Sequence, residues 1–141
     1  MKRVRLVLAL AAALAGAAAA KPAQDPLVGR WAFKTAAYGP GCVLEGEMTI
    51  AAGKPPASLS CTFDARETCR SWLARAKQTC TIVRTGTTGV AMTSKVTWSD
   101  GMSYKADDFS LTIVAPDEMR GVMNSVHAAP VVFSRKVALT S

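Results

Sequence analysis

Apolar and polar residues alternate along most of this chain. In "CVLEGEMTI", Cys42, Leu44, Met48 and Ile50 point one way while Glu45, Glu47 and Thr49 point the other, which is the two-residue period of a half-buried strand. "LVGRWAFKT" (27–35) reads as an earlier strand with Trp31 and Phe33 on one face. "SLSCTFD" sets Leu59, Cys61 and Phe63 against Ser60, Thr62 and Asp64. In "CTIVRTGTTGVAMTSKVTW", Gly86 and Gly89 bracket a hairpin turn, after which Val90, Met92, Ser94, Val96 and Trp98 share a face. "DFSLTIV" (108–114), "EMRGVMNSV" (118–126) and "VVFSRKVAL" (131–139) complete the series, with a break expected at "HAAP". Residues 65–78 fit two patterns. One is a helix with Trp72, Leu73 and Ala76 as its stripe. The other, which we prefer, is a loop feeding a strand that puts Trp72, Ala74, Ala76, Gln78, Cys80 and Ile82 on one side.

About eight strands joined by short turns leave no room for the crossovers that parallel strands need. The expected fold is therefore all-β, an antiparallel up-and-down meander. Closure into an eight-stranded barrel removes the exposed edges, and a two-sheet sandwich is the alternative.

The N-terminus changes the context. Lys2, Arg3 and Arg5 precede an apolar run from Leu6 to about Ala15, and Ala18-Ala19-Ala20 fits the small-residue cleavage rule. Residues 1–20 read as a bacterial secretory signal peptide, with export to the periplasm or beyond. Residues 21–26 follow as an extended arm, and residues 27–141 form one barrel domain. The signal contains three of the 17 basic residues, leaving 14 against 10 acidic ones. That mild excess, without basic–aromatic tracts, argues against nucleic-acid binding. No later segment is long and apolar enough to span a membrane, and the chain is taken as a monomer.

Four cysteines behind a signal peptide read as two disulfides stapling the barrel. Cys42, Cys61, Cys69 and Cys80 lack metal-site spacing and any C-x-x-C pair, so no metal, cofactor or redox role is expected. Three pairings exist. Cys61 and Cys80 lie on apolar faces of strands that can be neighbours, which favours 61–80 with 42–69. Catalysis is not expected. His127 is the only histidine, and Asp107-Asp108 and Asp117-Glu118 sit beside turns. Met48, Phe63, Met92, Trp98, Ile113, Met123 and Phe133 are the candidate interior residues, read first as packed core and second as a cavity lining. Arg66, Arg70, Arg75 and Lys77 form a basic set, read as a solvated face before a contact surface.

Gly29 and Trp31 ("GRW") lie in the first strand and Arg135 ("VVFSRK") in the last. Closure makes those strands neighbours, so the guanidinium can stack on the indole and plug the barrel floor. This pairing resembles the signature of the calycin superfamily, which includes lipocalins. "LVGRW" followed by "GCVLEGEMTI" is most similar to the bacterial inhibitors of secreted metalloproteases. That resemblance implies a non-enzymatic binding module whose N-terminal arm enters a protease cleft; the arm here would be "KPAQDP", including Lys21, Pro22, Ala23, Gln24 and Asp25. The chain departs from that family in having four cysteines where two are usual, and in lacking its Ser-rich start. The alternatives are a lipocalin-like carrier of a small apolar ligand, with Met92, Trp98 and Met123 lining the site, or a structural envelope protein.

Overall fold

A computed structural model of the chain describes residue 16 and residues 23–55, 58–101 and 103–137. The alternating segments form β1 (Gly29–Thr35), β2 (Val43–Ala52), β3 (Leu59–Thr68), β4 (Leu73–Thr85), β5 (Gly89–Ser99), β6 (Asp108–Ala115), β7 (Glu118–Asn124) and β8 (Ala128–Arg135). Each pairs antiparallel with its sequence neighbour, and β8 closes onto β1 to complete a barrel. The sandwich alternative is thereby excluded. The proposed signal segment, together with Lys21 and Pro22, lies outside the described residues.

Three details depart from the sequence pattern. Residues 65–78 contain no helix: β3 runs on to Thr68 and β4 begins at Leu73, leaving a four-residue turn. Ala74, Ala76, Gln78, Cys80 and Ile82 do share the buried face, but Trp72 stays in the turn and is exposed. "HAAP" is not a break, because β8 starts at Ala128 and includes Pro130. The carbonyl of Pro130 accepts from Ala36, just beyond the end of β1. Proline lacks the N–H that would return a bond to Ala36, and it sits where the β1–β8 pairing ends, a position that tolerates the missing donor.

The third departure is Trp98, expected inside and found on the outer surface, 48% exposed. Gln78 pairs with Val96, but Lys77 pairs with Trp98, so Thr97 is an extra residue in β5. Such a bulge moves every later side chain to the opposite face. The Thr97 hydroxyl donates to the Lys77 carbonyl at 3.0 Å across it.

Side chains fill the barrel interior. Phe33, Phe63, Phe109 and Phe133 form one cluster with ring centroids 5.1–5.9 Å apart, mostly edge to face. Met48, Met92, Met119 and Met123 pack around it. Gly46 faces this cluster from within β2. A Cβ there would lie 2.0 Å from the Asp64 carbonyl oxygen and 2.7 Å from Phe33 Cζ, so glycine lets the ring and the neighbouring strand approach.

One end of the barrel is closed by the β1–β8 seam. Trp31 and Arg135 are register partners, and the guanidinium carbon lies 4.3 Å from the indole centroid. The indole Nε1 donates to the Leu27 carbonyl at 2.9 Å, and Arg135 donates to the carbonyls of Pro26, Val28 and Pro116. Gly29, at φ +140°, accommodates this arginine. A Cβ there would sit 2.8 Å from its Nη1.

Candidate functional site

The opposite end of the barrel is built differently. Four connections meet there: residues 36–42, 69–72, 100–107 and 125–127. Their polar backbone groups must be satisfied without a ladder. Tyr38 and Cys42 exchange two backbone hydrogen bonds, the Cys69 N–H donates to the Trp72 carbonyl, and the Ser125 N–H donates to the His127 carbonyl. The Cys42–Cys69 disulfide ties the first connection to the second. The other bridge, Cys61–Cys80, joins register partners inside the β3–β4 pair. Both bridges match the expected pairing.

These connections enclose a cup of about 490 Å³. Tyr38, Trp72 and Tyr104 supply aromatic walls, and Glu67 and Asp107 supply carboxylates. Lys105, Leu73, Val126 and His127 also line it, all four being exposed. Gln78, 1% exposed, points inward from β4 beneath the cup. Its Nε2 donates to Asp107 Oδ2 at 2.6 Å, and the Asp107 N–H donates back to Gln78 Oε1 at 3.0 Å. The Tyr104 hydroxyl donates to the same Asp107 oxygen at 2.9 Å, and the Tyr38 hydroxyl donates to Glu67 Oε1 at 2.9 Å.

Burial sets the electrostatics. Asp107 is 3% exposed, and this desolvation raises its pKa to about 6. Hydrogen bonds from Gln78 and Tyr104 oppose the rise, and the charge of Glu67 adds to it. Burial also raises the pKa of both tyrosines, reinforced by the neighbouring carboxylates, so both remain neutral donors.

The residues proposed from sequence fall elsewhere. Met92 and Met123 are buried in the core and Trp98 lies outside the barrel, so they do not form one lining. Ala23 and Gln24 are exposed. Asp25 is bound to the barrel: its carboxylate accepts from the Leu27 amide at 2.8 Å and pairs with Arg84 at 2.6 Å. Partial burial opposes its ionisation, but these two partners outweigh it and hold the pKa below the usual carboxylate value. His127 is exposed on the cup rim, as a surface residue. Asp107 is a correction: it is a buried hydrogen-bonding group rather than only a turn former. The signal for it was Gln78 on an otherwise apolar face, since a buried amide demands a partner.

A larger trough of about 1000 Å³ runs over the outer face of β8, β1, β2, β3 and β4 to Trp98. It contains the basic residues Arg66, Arg75 and Lys77. Its charges are largely neutralised locally: Glu45 pairs with Arg66 and Lys34, Glu47 with Arg30 and Lys136, and Arg75 with Asp100. Such exposed pairs form a solvated ladder.

No family model matches this chain, and no curated protein matches it. Among solved structures it is similar to a de novo designed fluorescence-activating β-barrel, at a TM-score of 0.52 and 15% identity, over 79% of this chain and 94% of that one. At that identity the similarity concerns the fold.

Proposed function

We propose that this protein is a non-enzymatic, exported binding module whose site is the cup at the barrel mouth. The carrying observation is the contrast between the two spaces. The lumen is packed with phenylalanine and methionine, whereas the mouth holds a concave site with aromatic walls and convergent polar groups. The two disulfides suit an oxidising compartment. The similar designed barrel, described as fluorescence-activating, agrees with a scaffold whose role is binding. The cup's carboxylates are held by Tyr38, Tyr104 and Gln78, which suits a fixed binding surface.

The inhibitor reading rests on the N-terminal arm. Asp25 and Pro26 are held at the floor, the far end of the barrel from the cup. An arm would therefore be limited to residues 21–24. Titration of a small environment-sensitive aromatic dye, followed by the dye's own fluorescence, tests the cup. Saturable binding that is lost in Trp72→Ala is expected. Binding that survives Trp72→Ala but disappears on deletion of residues 21–24 would move the site to the arm.

A further inference from the structure

The five carboxylates of Asp25, Glu45, Glu47, Asp100 and Glu118 each lie within ion-pair distance of an arginine or lysine. The chain has 17 basic residues against 10 acidic ones, so partners are plentiful. Among the described residues, Asp64, Glu67, Asp107, Asp108 and Asp117 have no cationic partner within 4 Å, and of these Glu67 and Asp107 alone line the cup, one half-buried and the other buried. Buried charges are ordinarily paired. Here their hydrogen bonds come only from neutral donors, and the space above them is a cup walled by three aromatic rings.

We infer that the cup receives an organic cation, an ammonium or guanidinium head on a short apolar body, with Glu67 and Asp107 as counter-charges and Tyr38, Trp72 and Tyr104 as its aromatic walls. The inference rests on the cup being the binding site and adds the class of ligand. Ring faces and carboxylates attract the same charge, and the partly buried walls of a concave site strengthen both interactions. The volume of about 490 Å³ suits a small molecule or a single basic side chain. Exposed Trp72, Leu73 and Val126 at the rim complement the apolar body. Lys105 is exposed and disfavours a second positive centre, which selects a monocation.

The test is isothermal titration of the full-length mature protein at pH 7.5 with hexyltrimethylammonium, hexanol and hexanoate. N-acetyl-lysine amide and N-acetyl-arginine amide provide the side-chain arm. The cation should bind at least ten-fold tighter than hexanol, and hexanoate should bind weakest. Tighter binding of the blocked amino acids would identify a protein side chain as the source of the cation; tighter binding of the alkylammonium would identify a free small molecule. Glu67→Gln, which preserves the acceptor for Tyr38, should cost at least five-fold for cations and nothing for hexanol. A pH series should show cation affinity falling as pH drops through 6. It is run in a His127→Asn background because His127 faces the same cup, as do Glu67, Lys105, Tyr38, Tyr104 and, beside Asp107, Gln78 and Ser125. In Asp107→Asn that fall should vanish. Equal affinity for cation and hexanol would overturn the ligand class while leaving the cup a binding site. Preferred hexanoate binding would overturn it likewise, and no binding by any probe would overturn both.

Discussion

Asp107 ionises near pH 6 in the folded protein, against an ordinary value of 3.8. Between those values the folded state holds more protons than the unfolded state, so stability falls as pH rises. The favourable contribution is complete below pH 4 and lost through pH 6; two pK units correspond to roughly 2–3 kcal/mol. The lowered carboxylates, Asp25 and Glu45 among them, act in the other direction as pH falls through their ordinary values of 3.8 and 4.5, so they overlap only the acid edge of that window. Urea midpoints should therefore decline between pH 5.5 and 7 in the wild type and stay level over that range in Asp107→Asn. Two other residues carry simpler expectations. Among the described residues the buried Ser94 hydroxyl has no hydrogen-bond partner, so Ser94→Ala should be neutral or stabilising by up to about 1 kcal/mol in denaturant titration. Gly46→Ala, which drives a methyl into the Asp64 carbonyl, should destabilise by about 3 kcal/mol in the same measurement.

Among the elements, β5 shows how one inserted residue redirects a strand. Alternation from Val90 through Val96 predicts Trp98 inside, and the bulge at Thr97 puts it outside. Trp98→Thr should then change stability by no more than about 0.5 kcal/mol. Met92→Ala, three periods of the alternation earlier and 2% exposed, should cost about 2–5 kcal/mol. Equal losses in chemical denaturation would contradict the bulge. In β3 and β4 the difference from expectation is one of extent. Residues 65–68 continue the inward series with Ala65, but a small residue next to charged Arg66 and Glu67 gives a weak apolar signal. Pairing with β2 and β4 over ten register positions each holds that segment extended.

For the molecule as a whole, closure and cross-linking act together. The two disulfides span 27 and 19 residues, so the loop-entropy model separates them by only about 0.3 kcal/mol. Replacing either pair by alanine should lower stability by a similar amount, about 2–4 kcal/mol. Only loss of Cys42–Cys69 should also weaken binding at the cup, because that bridge holds two of its four connections; calorimetry on both variants checks this. The sequence by itself determined the strands, their inward faces, the antiparallel meander and the compatibility of Cys61 with Cys80, because a two-residue period and turn residues act over short distances. It also marked Trp31 and Arg135 at the chain's two ends, where closure brings them to 4.3 Å. The tertiary structure alone decided the bulge at Thr97 and the cup. A bulge depends on which residue of β4 faces which residue of β5, and the alternation of one strand carries no such information. The cup draws Tyr38, Glu67, Trp72, Tyr104, Asp107 and His127 from separate connections, and barrel closure converges them at one rim.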